Sequence, residues 1–319
     1  MWIFNPILKQ TIWGGERIAP YKEIETDLTN IGESWELSGV EGNESVVAEG
    51  SDKGMTLPAL IDKYGAALMG RHNFQKFGNR FPLLIKFIDA REDLSVQVHP
   101  DGAMAQRYGQ PNGKTEMWFV LKAEDGARLA NGFRKPVNPD NYEGLVESGE
   151  IEQELNFVDI TPGETYFIPA GRVHAIGAGA FVAEIQQTSD ATYRLYDYHR
   201  KDAAGNEREL HTALAKEALN FNDTDGDPIK FEAVENVPVN LVRSPYFTTN
   251  VLNLDAPVTR DYSENDSFTV LIITDGEAEL RSGEETLKVK RGQTVLLPAS
   301  APRISIVPTP SVSLLETYI

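Results

Sequence analysis

The chain has five histidines, His72, His99, His174, His199 and His211, and two of them stand where side chains can converge. In Gln97-Val98-His99-Pro100 the Gln and His are two positions apart, so on an extended segment both address one face. Glu116 opens the run EMWFVLKA, whose aromatic and β-branched residues read as a strand. His174 follows a turn-forming segment, Gly163-x5-Pro169-x-Gly171-x2-His174. Two imidazoles, a carboxylate and an amide oxygen make a nitrogen-and-oxygen donor set for a divalent ion. It suits Zn²⁺ and is compatible with Mn²⁺, Fe²⁺, Co²⁺ or Ni²⁺. Each histidine alone reads more readily as a turn residue donating hydrogen bonds; taken together, their shared parity reverses the reading in favour of the cage. His72, in GRHNFQKFGNR, reads as a loop residue and His211 as one near a helix start, neither with a chemical role.

Positioning such a cage is a task for strands. Short apolar runs rich in Val, Ile, Phe and Tyr recur at 81–90, 94–100, 116–123, 164–170, 181–187, 268–274, 294–299 and 312–318, bounded by Gly, Pro, Asp or Asn. Strands this short and frequent predict a β-sandwich or barrel. Helical patterning is confined to 56–70, 101–109, 138–149 and 209–221. The expected class is therefore all-β with helical insertions. NDTDGDP (222–228) is the best boundary, dividing the chain into 1–222 and 223–319.

An internal repeat supports two β units. Pro162–Gly171 resembles Arg291–Ser300, both reading Gly, five residues, Pro-Ala-small. Upstream, Phe119-Val120-Leu121 before Asp125-Gly126 matches Thr269-Val270-Leu271 before Asp275-Gly276. This alignment sets Asp266 opposite Glu116 and Arg303 opposite His174, and no histidine follows position 211. The second copy is thus expected to lack the cage, leaving one metal and one active site per chain.

Composition excludes several classes. Of 319 residues, 41% are hydrophobic and 24% charged, which fits a globular protein. No run approaches the ~20 apolar residues of a spanning helix. The N-terminal stretch MWIFNPILKQTIWGG has no pattern of a secretory signal, and zero cysteines remove disulfides and thiolate chemistry. A cytoplasmic location is expected. With 30 Lys+Arg against 48 Asp+Glu the net charge is −18, which repels nucleic acid. Any phosphate-bearing ligand then needs a local cluster of cations.

The same residues carry a family resemblance. Gly163 to His174 matches the second motif of the cupins, and Gln97 to Glu116 resembles a stretched first motif. LLIKFIDAREDLSVQVHPD, GKTEMWFVL, YFIPAGRVHAIGAG and EIQQTSDATYRLYDY, in that order, resemble the type I mannose-6-phosphate isomerases in their short bacterial form; GESWELSG fits as well. The resemblance implies two cupin-type barrel or jelly-roll domains. It implies one Zn²⁺ per chain, held by Gln97, His99, Glu116 and His174, and a catalytic arginine at Arg194. It places Lys114 and Glu184 in the active pocket.

The implied reaction moves a proton between C2 and C1 of a sugar phosphate through a cis-enediol. Arg194 is a fixed cation suited to stabilising charge and unsuited to being the base. Glu184 and Lys114 are the candidate bases, either needing a shifted pKa. Lys86, Lys114 and Arg194 are the candidate substrate contacts, with Arg200, Ser34 and Ser38 as further phosphate anchors and no firm phosphate ligand. Two other readings compete: a metal cupin acting on another sugar, and a double-cupin sugar-binding or regulatory protein without turnover.

Overall fold

Alternation along the central strands sorts the molecule into layers. In Ala180–Gln187, the side chains of Phe181, Ala183 and Ile185 join one hydrophobic cluster, while Val182 joins another and Glu184 and Gln186 share its parity. In Leu83–Asp89, Ile85 and Phe87 face the first cluster, and Lys86 and Ile88 take the other side. Both faces are buried, so these strands read as nearly continuous apolar runs interrupted by a few charged residues.

The computed structural model describes residues 1–201 and 204–319. It is mostly β with helical insertions, as the sequence pattern predicts. A six-stranded antiparallel sheet runs Thr165–Ile168, Glu116–Ala123, Ala180–Gln187, Leu83–Asp89, Ile31–Leu37, Ile7–Gly15. A five-stranded sheet runs Leu155–Asp159, Arg128–Phe133, His174–Ile176, Val96–Val98, Tyr193–Tyr196. Between them lie Trp13, Ile88, Trp118, Leu129, Tyr166 and Ile176. On the far side of the six-stranded sheet, Ile85, Phe87 and Phe181 pack against Val270, Ile272 and Leu315 of a nine-stranded sheet.

That third sheet is built mainly from residues after 238, but Trp2–Asn5 pairs with its strand Thr294–Leu297 and in turn with Val46–Val47. The 222–228 segment is a turn-rich connection held to the preceding residues. Asp223 takes a bidentate pair from Arg172 at 2.8 Å, and Asn131 Nδ2 donates to the Gly226 carbonyl at 3.0 Å.

The helical patterns hold with sharper limits. The 56–70 pattern divides into Leu57–Tyr64 and Ala66–Met69 at Gly65, whose φ of 50° breaks the helix, and Thr56 caps the first piece. The loop expected around His72 is instead a helix, Arg71–Phe77, flanked by Gly70 and Gly78. Its only inward groups are Phe74, at the edge of the core, and the buried Asn73, too few to give a legible stripe.

The repeat is visible in the pairing of strands, with one correction. Gly163 N–H donates to the Val120 carbonyl, and Gly292 N–H donates to that of Ile273, each at 2.8 Å. Val120 therefore answers to Ile273, three residues beyond the match that set Leu121 against Leu271. Thr165 pairs with Phe119 and Thr294 with Ile272 in the same relation. Asp266 accordingly does not occupy the position of Glu116; Thr269 does, while Asp266 sits in a turn accepting from the Arg71 amide. Repeats matched on apolar letters alone slip easily, because Val, Leu and Ile are interchangeable on a buried strand.

Candidate active site

Gln97 lies in the middle of the short strand Val96–Val98, paired with His174 on one side and Arg194 on the other. His99 continues the same parity two residues on. The turn that presents His174 is fastened to it: Gly171 N–H donates to the His99 carbonyl at 2.9 Å. Gly171 has φ 88°, and a Cβ there would come within 3.1 Å of the Ala218 carbonyl, so the motif glycine is required by backbone shape and space. Glu116 enters from the six-stranded sheet, opposite Ile168 and Gln186.

His99, Glu116 and His174 are buried, and their ligand atoms lie within 4.8 Å of one another. Each imidazole is oriented by its other nitrogen. His99 Nδ1 donates to the Ala191 carbonyl at 2.8 Å and His174 Nδ1 to that of Arg172 at 2.9 Å. Both Nε2 lone pairs then point inward, 3.1 Å apart, with Glu116 oxygens at 3.4 and 3.5 Å and the Gln97 amide 3.3 Å from His174 Nε2. Half a turn of that amide presents its oxygen. Acceptors this close repel each other unless a cation stands between them.

Two further observations fit a cation. Neither Glu116 oxygen, fully buried, accepts a hydrogen bond. Among the described residues the positive group in contact is the Lys114 ammonium, 3.0 Å from Glu116 Oε2 and 2.9 Å from His99 Nε2, standing where a bound ion's charge belongs. Burial opposes the Glu116 charge, yet Lys114 and the two histidines hold its carboxyl well below the usual range. Burial, with help from Lys114, pushes His99 down to about 3, and burial lowers His174 as well. The imidazoles are therefore neutral near pH 7, the state in which they ligate metals. The residues present suit a divalent ion.

Beside the cage opens a cavity of about 430 Å³, lined by Gln97, Lys114, Lys86, Glu184 and Arg194 among others. It thus joins the two candidate bases and the three candidate substrate contacts predicted from sequence. Glu184 is buried; its Oε2 accepts from Trp118 Nε1 at 2.8 Å and its Oε1 stands 3.2 Å from Lys86 Nζ. Burial and then the Glu116 charge push its pKa up. Burial opposes the Lys86 charge, but Glu33, Glu184 and Glu116 together hold it above its ordinary range. Arg194 donates from Nε to Ser95 Oγ at 3.2 Å and from Nη1 to the Glu209 carbonyl at 2.8 Å.

Some expectations fall elsewhere. Ser34 donates to Glu36 and is buried away from the cavity, Ser38 accepts from the Val40 amide, and Arg200 pairs with Asp197. Other residues at the site were not singled out by sequence. Trp13 and Trp35 line the cavity as apolar walls, and Arg208 contributes a further cation. His211 stands at the N-cap position of the helix Thr212–Ala218, in line with its expected place, but its side chain serves as an anchor: its ring accepts from the Arg194 amide at 3.2 Å and its own amide donates to the Arg194 carbonyl at 2.8 Å.

The chain is similar to known proteins along most of its length. Residues 1–135 match the phosphomannose isomerase type I catalytic domain, and residues 239–312 the mannose-6-phosphate isomerase cupin domain. The mannose-6-phosphate isomerase ManA of Bacillus subtilis is 35% identical over 300 residues, covering 92% of each chain. That of Streptococcus mutans is 30% identical, covering 91% of this chain and 90% of the relative. The crystal structure of the mannose 6-phosphate isomerase from Bacillus subtilis superposes with a TM-score of 0.89 at 31% identity, covering 100% of this chain and 99% of that one.

Proposed function

The chain belongs to the type I mannose-6-phosphate isomerase family, and we propose that its cavity interconverts mannose 6-phosphate and fructose 6-phosphate by proton transfer with Glu184 as the base. The observation that carries this reading is the convergence of a cation-demanding cage, a buried carboxylate of raised pKa and Arg194 on one cavity.

Gln97, His99, Glu116 and His174 would hold one Zn²⁺ per chain, which supplies Lewis-acid polarisation of the sugar oxygens. The other steps belong to side chains. Glu184 takes the C2 proton, leaving a cis-enediolate; the O2 hydroxyl proton passes to O1, and Glu184 returns its proton to C1. Its raised pKa narrows the gap to the weakly acidic carbon and makes both directions practicable. Lys86, 3.2 Å away, keeps the carboxylate oriented and balances its charge. Arg194 gives fixed positive charge as oxygen becomes negative, and because it does not surrender its proton it competes with no acid–base step. Trp13 and Trp35 exclude water from the reacting carbons.

We divide the chain into a catalytic cupin-type unit, 1–222, and a second cupin-type unit, 223–319, that lacks the cage, although Trp2–Asn5 and Val46–Val47 hydrogen-bond within the second unit's sheet. The substrate is a small sugar phosphate, the acidic charge argues against nucleic acid, and the absence of cysteine suits a reducing cytoplasm. The test is turnover of mannose 6-phosphate by metal-loaded and then chelated protein, with free mannose in parallel. Chelator-sensitive conversion of the phosphorylated sugar is expected. No turnover by protein containing one metal per chain would overturn the assignment.

A further inference from the structure

Charge is distributed unevenly around the cavity. At the cage end every lysine is matched: Lys86 by Glu184 at 3.2 Å and Glu33 at 3.7 Å, Lys114 by Glu116 at 3.0 Å. Lys86 is held between two carboxylates, and Lys114 stands at the cage itself. Beyond the cage, Arg194 and Arg208 line the cavity, and with Arg200, which lies outside the lining, they gather around a single buried carboxylate, Asp197. The other nearby acids are more exposed: Glu92, half exposed and 3.6 Å from Arg200, Glu209, and Asp190 at the cavity's lining. In a chain of net charge −18, an excess of guanidinium charge on a cavity wall requires a reason.

The position of this cluster supplies one. Ser95 precedes Gln97 by two residues, a displacement of about 7 Å along extended backbone. The Arg194 guanidinium is bound at Ser95, so the cationic wall starts one strand pair beyond the cage. That separation suits a hexose whose C1–C2 end is at the cage and whose C6 substituent is at the wall. Arg208 lines the cavity there, a quarter exposed. Its Nε and Nη2 donate to the two Asp197 oxygens at 2.7 and 2.5 Å, which fixes the plane of the fork and leaves its Nη1 edge outside that pair. A guanidinium held rigid by a carboxylate behind it is preorganised for bidentate recognition of phosphate. Its field also acts on Arg194.

We propose that Arg208, braced by Asp197, is the anchor for the substrate's phosphate and hence the residue that selects phosphorylated over free sugar. The proposal rests on the isomerase reading and deepens it. It is tested with metal-loaded Arg208→Gln and Arg208→Lys variants, each shown folded by far-UV circular dichroism. Arg208→Gln is expected to raise KM for mannose 6-phosphate by about ten- to a hundredfold, the cost of one charge-assisted contact, with kcat within about threefold. Inhibition by inorganic phosphate weakens by a similar factor, and Arg208→Lys recovers part of both. If Arg208→Gln does not fold, Arg208→Lys alone is expected to show a smaller rise in KM with kcat kept. A fall in kcat at unchanged KM, or unchanged phosphate inhibition, would overturn the proposal and leave Arg208 as a brace for Asp197. Thermal stabilisation of the wild-type protein by inorganic phosphate separates the two readings. If it is present in wild type and lost in Arg208→Gln while mannose 6-phosphate is not turned over, the anion site stands and the isomerase assignment falls. No stabilisation of wild type, together with normal turnover, removes the anchor and keeps the isomerase.

Discussion

His99 shows how a single residue links the site to the pH range in which the protein lasts. Burial and the Lys114 ammonium depress its pKa from 6.5 to about 3, so between those values the unfolded chain binds a proton that the folded chain refuses. Stability therefore rises with pH across this window and is lost as the solution is acidified below pH 6.5. By pH 5 the contribution of His99 alone amounts to roughly 2 kcal/mol; His174, depressed for the same reason, acts in the same direction. We predict that the melting temperature of metal-free protein falls between pH 7.5 and 5, and that His99→Gln, which cannot titrate, has a shallower slope over that range. The comparison is between slopes, since the variant also shifts the whole curve. Parallel curves would show that the buried imidazole is not the group responsible. The histidines with this role were legible in sequence because their neighbours were: a Gln two residues away and a Gly–Pro–Gly turn fix geometry locally. Arg208 was not, because its meaning depends on Asp197, eleven positions earlier, and on a wall assembled from three separate segments.

Elements give the site rigidity by joining sheets, and the short helix Ile18–Lys22 illustrates the physics. Lys22 Nζ donates to Glu36 Oε2 at 2.7 Å and to the Gly292 carbonyl, while Ser34 Oγ donates to the other Glu36 oxygen at 2.5 Å. The lysine and glutamate side chains are 5% and 3% exposed, so the pair ties the six-stranded sheet to the turn before Thr294–Leu297 without help from water. Tyr21 from the same helix reaches the Thr274 carbonyl at 2.7 Å. Removing one partner of such a pair leaves the other charge buried. Lys22→Met is predicted to cost about 3–5 kcal/mol in urea unfolding, and Lys22→Met/Glu36→Gln to cost less than the single variant. Equal losses would mean that the lysine's alkyl packing matters and its charge does not. These joins were invisible in the sequence, where Lys22 is one charged residue among many. Strands with unbroken apolar runs, such as 116–123, were read to the residue; Ile7–Gly15 was not, because register shifts between Lys9 and Gln10 and between Gln10 and Gly15 interrupt its alternation.

At the scale of the whole molecule, one sheet plan is used twice with opposite interiors. Glu184 sits opposite Trp118 and Lys86; in the second copy Glu316 sits opposite Leu271 and Asn250, and Leu271 answers to Trp118 in the register set by Val120 and Ile273. A buried glutamate thus recurs at the matching place. In the first copy it faces a cavity. In the second it is consumed by Arg260, Tyr262 and Asn250 at 2.6–2.9 Å, and Leu252, Leu271 and Leu314 fill the space beside it. The catalytic sheet packs against this second copy through Phe181, Phe87, Ile272 and Leu315 in one continuous core. The repeated turn was legible in sequence, whereas the repeated glutamate emerged only from the register. A shared core of this kind predicts one cooperative unfolding event. Of the four tryptophans, Trp13, Trp35 and Trp118 lie in the six-stranded sheet and Trp2 in the nine-stranded one, so their fluorescence is weighted three to one towards the first unit, while far-UV circular dichroism reports on all sheets. Urea transitions followed by the two probes are expected to coincide in midpoint and slope. Separate midpoints would show that the second sheet survives the loss of the first, and that the interface between them is a contact between independent domains.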